Sequence, residues 1–140
     1  FKNPSDAEVR QDFVGGFPGD AINKFLESGR NAQENEAFNF VRKLANYRKN
    51  TPALHSGTLL QYLPKEGIYV YFRKNNDKTI MILLNQNTEN KTIDLTRFSE
   101  GIGSKSIGYD ILTEHSFDLN SSLEMPGMGE LVLELRKNYL

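Results

Sequence analysis

Residues able to do chemistry are plentiful in this chain, but few are spaced to build a site. It carries 18 aspartates and glutamates, two histidines and no cysteine. His55 and His115 lie outside any HExxH or other ligand-spaced pattern, so no metal ligand is assigned. The absence of cysteine excludes disulfides and thiol nucleophiles. No serine stands in a GxSxG elbow. The stretch GIGSKSIG, from Gly101 to Gly108, misses the dinucleotide fingerprint because Ser106 takes the third glycine's place and a strand follows. It reads as a flexible hairpin connection. No catalytic or cofactor-binding residue is therefore assigned, and no cofactor is expected in the segment.

Most carboxylates fall on a helix, in turns or at alternating strand positions, where solvation explains them. Asp94, between Ile93 and Leu95, is expected to point to water. Asp12 and Asp20 are a candidate pair flanking a cleft, as two carboxylates do in glycoside hydrolysis. They bracket DFVGGFPGD, a stretch too apolar for a solvated linker and too glycine-rich for a helix or strand. Tyr69 and Tyr71 are two apart on a predicted strand and share one sheet face. They would either stack on sugar rings or cover a neighbouring helix or domain. Asn90-Lys91-Thr92 and Asn120-Ser121-Ser122 fit the glycosylation acceptor pattern.

Positioning these groups falls to a helix and a series of strands. Asp20 is expected to N-cap a short helical turn, Ala21 to Glu27, ended by Ser28-Gly29-Arg30. From Ala32 to Asn50 there is no Gly or Pro, and Ala37, Phe38, Val41, Leu44, Ala45 and Arg48 follow helical spacing. Asn31 and Glu34 are set as a capping box. Arg48 and Lys49 suit the negative end of the helix dipole. Pro52 forbids continuation and pushes Thr51 out of the helical region.

Beyond Pro52 the period becomes two. Strands are expected at Thr58–Leu63, Ile68–Arg73, Thr79–Asn85, Lys91–Leu95, Ser106–Leu112, His115–Leu119, Ser122–Met125 and Glu130–Leu135. TIMILLN (Thr79–Asn85) is nearly all apolar, which implies burial on both faces. Turn signals recur about every 8 to 12 residues, the rhythm of an antiparallel sandwich. The expected fold is mainly β: an antiparallel Greek-key β-sandwich preceded by one long α-helix and an irregular Gly-rich loop.

The totals are those of an ordinary folded domain. Seventeen basic residues oppose 18 acidic ones, for a net charge of −1. That balance argues against partners recruited by bulk charge, so neither nucleic acid nor membrane is expected. No apolar run approaches the ~20 residues needed to cross a bilayer. FKNPSDAEVR lacks the pattern of a signal peptide and an initiator Met, so the chain is expected to be a piece of a longer polypeptide.

Three stretches carry a resemblance across essentially the whole chain: RQDFVGGFPGD (Arg10–Asp20), FNFVRKLANYRKNTPALHSGTLLQYLPKEGIYVYFR (Phe38–Arg73), and YDILTEHSFDL with LEMPGMGELVLEL. Together they resemble the C-terminal end of a neopullulanase or cyclomaltodextrinase-like enzyme of the α-amylase superfamily. The resemblance implies that residues 1–51 are the tail of a (β/α)8 barrel: the loop after its last strand, a short helix and the last barrel helix. Residues 52–136 would be the C-terminal sandwich and 137–140 a tail. Val14 and Phe17 stand where the family has Pro and Trp.

Loops after barrel strands lie on the catalytic face. The resemblance thus makes Arg10, Asp12, Phe13 and Phe17 candidate substrate-cleft contacts. The alternative is that the phenylalanines plug the loop onto its own helix and Arg10 pairs with Asp12. The superfamily's catalytic carboxylates lie on earlier strands, and no residue here matches them. The implied parent hydrolyses α-1,4-glucans such as maltodextrin, cyclodextrin or pullulan, in the periplasm or outside the cell, while this segment is inert and supports the barrel. Its expected partners are the preceding barrel, an α-glucan, and a second copy through the helix face of Phe38, Val41 and Leu44. Two other readings are a carbohydrate-binding module using Tyr69 and Tyr71, and a free-standing enzyme using Asp12 and Asp20.

Overall fold

Among the described residues, eight short strands follow one long helix, in the order the sequence pattern predicts. The computed structural model describes residue 3, residues 5–10 and residues 12–137. All but the first residue of the expected tail, 137–140, lies outside them. The chain divides into two compact units, residues 1–42 and 43–140.

The first unit holds a single helical turn, α1 (Asp6–Val9), an irregular stretch, a 3-10 turn at Glu27–Gly29 and the beginning of α2 (Ala32–Lys49). The start of α2 is the expected capping box. Glu34 N–H donates to Asn31 Oδ1 and Asn31 N–H to Glu34 Oε2, both at 2.9 Å. The expected turn at Ala21–Glu27 does not form. Asp20 bonds backwards instead, its carboxylate accepting from Phe17 N–H at 2.8 Å, so it closes a turn rather than capping a helix.

The second unit is an antiparallel sandwich. Strands β1 (Thr58–Gln61), β2 (Ile68–Lys74), β3 (Thr79–Asn85), β5 (Ile107–Asp110), β6 (Ser116–Asp118) and β8 (Glu130–Arg136) form a six-stranded sheet in the order β1-β2-β3-β8-β5-β6. Strands β4 (Lys91–Ile93) and β7 (Leu123–Met125) pair as a second sheet. The chain leaves the large sheet after β3 for β4, returns as β5 and β6, leaves again for β7 and re-enters as β8, which lies between β3 and β5, a Greek-key crossing.

The main core lies between the sheets. Val70, Phe72, Met81, Leu83, Leu131, Leu133 and Leu135 meet Ile93, Leu123 and Met125 there. Each such side chain contributes about 1.5–3 kcal/mol by leaving water. Between β4 and β5 the chain is helical, not extended. Asp94 is exposed, and its carboxylate accepts from Thr96 N–H at 2.9 Å, capping a 3-10 turn at Leu95–Phe98. One turn of helix, α3 (Ser99–Ile102), follows. Gly101 and Ile102 are buried, so the expected hairpin connection is instead part of the core.

The large sheet's other face is apolar as well, which explains why β3 has no solvent side along most of its length. Ala53, Ile80, Ile82, Ile111 and Val132 form a second cluster, with Leu44 and Tyr47 from the end of α2 packed on it. Buried Asp110 closes the turn after β5 by accepting from the backbone N–H groups of Thr113 and Val132, both at 3.0 Å.

Candidate functional site

The first unit is built around three glycines that no other residue replaces easily. Gly15, Gly16 and Gly19 have φ of 110°, 101° and 92°. A Cβ on Gly15 would also lie 2.5 Å from the Asn23 Cα. The loop therefore folds back on itself, with Lys24 N–H donating to Val14 C=O at 3.0 Å. Phe13 meets Phe25 edge to face, ring centroids 4.8 Å apart.

Arg30 welds this loop to the helix. Its Nε donates to Asn35 Oδ1 at 2.7 Å, and its Nη1 to the carbonyls of Lys24 at 2.7 Å and Phe25 at 3.2 Å. The same guanidinium lies 3.8 Å from the Phe38 ring centroid. Lys24 pairs with Glu34, whose carboxyl is held below its ordinary pKa by that lysine and by the Asn31 backbone. An open concavity of about 520 Å³ results, lined by Asp12, Phe13, Lys24, Arg30, Glu34, Ala37, Phe38 and Val41.

Of the expected loop contacts, Asp12 and Phe13 come together on this concavity. Phe17 is 79% exposed and is not on its wall. Arg10 pairs with Asp6 at 3.4 Å, one helical turn away. Asp20 serves the Phe17 turn and does not join Asp12 on the concavity. Among the described residues no cluster of three or more His, Asp or Glu is placed to hold a metal ion. His55 Nε2 contacts the Arg48 carbonyl at the end of α2. No helix among the described residues is long and apolar enough to cross a membrane.

In the second unit, Tyr69 and Tyr71 do share a face, with ring centroids 5.4 Å apart and planes tilted by 31°. The Tyr69 hydroxyl donates to Gln61 Oε1 at 2.9 Å. Tyr71 is half-buried against the second apolar cluster, and burial followed by the neighbouring Tyr69 raises its phenol pKa.

A charged group with several partners in this unit is Glu134, whose side chain is only 14% exposed. It accepts from Lys78 Nζ at 2.6 Å, Tyr47 OH at 2.9 Å and Arg136 at 3.1 Å. Burial pushes its carboxyl pKa up, but the donors, Lys78 first and then Tyr47, outweigh that and hold it below the ordinary value. The Tyr47 phenol is raised by burial and by Glu134. Neither Arg30 nor Glu134 was marked by any local motif, because their partners are set by the fold.

A family model described as the cyclo-malto-dextrinase C-terminal domain matches residues 59–134. A cyclomaltodextrin glucanotransferase from Thermoanaerobacterium thermosulfurigenes is 32% identical over 69 residues, 49% of this chain and 10% of that protein. Among solved structures, an AmyP variant in complex with maltotriose overlays with a TM-score of 0.68 at 18% identity, covering 78% of this chain and 22% of that one. An α-amylase from Geobacillus thermoleovorans complexed with acarbose gives a TM-score of 0.63 at 21% identity, covering 74% and 24%. At these identities the structural likeness speaks for the fold alone. This chain spans about a tenth of the curated relative and under a quarter of these two structures.

Proposed function

The chain belongs to the cyclo-malto-dextrinase C-terminal domain family, and from that premise we propose that it is the non-catalytic C-terminal segment of an α-amylase-superfamily glycoside hydrolase acting on α-1,4-glucans. The parent is of the neopullulanase or cyclomaltodextrinase kind, and its catalytic carboxylates sit on a (β/α)8 barrel preceding this segment. Residues 1–51 complete that barrel, and residues 52–136 form the sandwich that supports it. The α-glucan passes the loop of Asp12, Phe13 and Phe17, with Arg10 at its base.

The observation that carries this reading is the family match over the sandwich. The bare start of α2 agrees with it: Phe38, Phe40 and Val41 are 38%, 40% and 62% exposed. A helix whose apolar side chains face water is a helix made to pack against something else. The barrel strands are that cover.

The test is a reducing-sugar assay with maltoheptaose, β-cyclodextrin and pullulan. The 140-residue chain should be inactive, and the longer polypeptide containing it active. Activity in the isolated chain would overturn the reading and restore Asp12 and Asp20 as a hydrolytic pair.

A further inference from the structure

At one end of the large sheet the chain delivers three lysines. Lys74 closes β2, Lys137 follows β8, and Lys105 stands just before β5. Register brings these positions to the same end: Lys74 lies opposite Thr79 at the start of β3, and Ile107 at the start of β5 lies opposite Arg136. Two further cations here, Lys78 and Arg136, are paired with Glu134. Lys74, Lys105 and Lys137 form no ion pair with a described residue, and neither does Asp77 in the turn between β2 and β3. Lys105 is half-buried. Burial first, then the charges of Lys74 and Lys137, lowers its pKa, and no carboxylate among the described residues offsets them. Like charges gathered in this way repel, and a bound anion relieves that cost.

Lys105 also stands on the wall of an open concavity of about 380 Å³, with Ser99, Asn120, Ser121 and Ser122 beside it. Their hydroxyl and amide groups can donate to an oxyanion and exchange hydrogen bonds with a polyol. The wall's carboxylate, Asp94, is turned to Thr96, whose N–H and hydroxyl donate to Oδ1 at 2.9 and 2.8 Å. We propose that this concavity is a binding site for a phosphate group, free or as the monoester of a small sugar, held by Lys105 and reinforced by the charges of Lys74 and Lys137. It is a site of the second unit alone, apart from the glucan reaction of the parent. Lysine is a point charge with freely turning donors and suits a tetrahedral oxyanion, whereas a planar carboxylate is the partner of the arginine fork. No aromatic ring lines the wall, so an uncharged glucan has no surface there to stack on.

Titration calorimetry of the 140-residue chain with sodium phosphate, glucose 6-phosphate and glucose, at fixed ionic strength, tests this. Phosphate and glucose 6-phosphate should bind saturably at millimolar concentration or below, and glucose not at all. Lys105→Gln should weaken phosphate at least roughly tenfold, since a hydrogen bond between charged groups is lost. Lys74→Gln combined with Lys137→Gln should weaken it by a smaller factor, because these two act through their charge. Lys49→Gln removes the same charge from the exposed end of α2 and should leave binding unchanged. Amide NMR shifts of the unaltered chain on adding phosphate locate the ion without any substitution, and they should centre on Gly103 to Ser106 and Asn120 to Ser122. Tighter binding of glucose 6-phosphate than of phosphate assigns the site to a phosphosugar, and equal binding assigns it to the free ion; either upholds it. Absence of saturation with phosphate, equal losses from Lys49→Gln and Lys105→Gln, or shifts scattered over every lysine-bearing face would overturn it.

Discussion

Replacing Glu134 by glutamine keeps the shape of the side chain and removes its charge, which isolates what the carboxylate does at the junction of α2 with the sheet. Three donors converge on it, from Lys78, Tyr47 and Arg136. A glutamine can turn its oxygen to only part of that set, leaving its amide facing another donor. A hydrogen bond to a charged acceptor is worth about 1.5–3 kcal/mol net. Lys78 and Arg136 are 41% and 50% exposed, so their ion pairs add at most about 1 kcal/mol between them. Glu134→Gln should therefore cost about 2 kcal/mol at pH 7, read by urea unfolding with unchanged slope. Tyr47→Phe should cost about 1 kcal/mol, and the double variant less than the sum, because the two share one bond. The folded-state pKa of Glu134 is depressed from 4.5, so its contribution is complete at neutral pH. It is lost as pH falls below about 4.5 and through the folded value, and the difference between wild type and Glu134→Gln should shrink over that same range. A cost under about 0.5 kcal/mol at pH 7, or strict additivity with Tyr47→Phe, would refute the claim that this carboxylate fastens the helix end to the sheet.

Gly101→Ala should destabilise by about 1–3 kcal/mol in thermal melts, since the new Cβ would lie 2.5 Å from the buried Phe72 ring. Asp110→Ala strips the partner from the backbone N–H groups of Val132 and Thr113 and should cost about 3 kcal/mol in urea. Tyr62→Phe should be neutral or up to about 1 kcal/mol stabilising, because the Tyr62 hydroxyl is buried with no hydrogen-bond partner among the described residues. Sedimentation of the isolated chain should show concentration-dependent association that Phe38→Asp with Val41→Asp abolishes; a monomer at all concentrations would argue that this apolar face is content in water.

Where a residue's surroundings are set by its neighbours in sequence, the pattern was readable. The helix runs from Ala32 to Lys49 as its capping box and Pro52 demand, and β3 spans Thr79–Asn85 as its apolar run implies. Where a distant partner decides, it was not. Nothing near Gly101 announces that Phe72 lies over it, so a helical turn in the core reads as a flexible connection. Asp110 and Glu134 read as solvated carboxylates because a decisive donor of each is distant in sequence, Val132 N–H for the one and the Tyr47 hydroxyl with the Lys78 ammonium for the other. Asp20 is a subtler case: an aspartate can close the turn before it or cap the turn after it, and here the glycines upstream favour the former. The family resemblance made Asp12 and Phe13 candidate cleft contacts, but the concavity they line depends on Arg30, an end-of-turn residue with no signature of its own.

The last strand sits in the interior of its sheet, between β3 and β5. A ribosome making this protein must therefore release Glu130–Arg136 before the third strand can be joined to the fifth. Until then the nascent polypeptide holds two unfinished sheet fragments with raw edges, a state that invites chaperones and proteases. A polypeptide cut shortly before Glu130 would thus be left with both edges open, so the strand order makes closure of the sheet wait for its eighth strand.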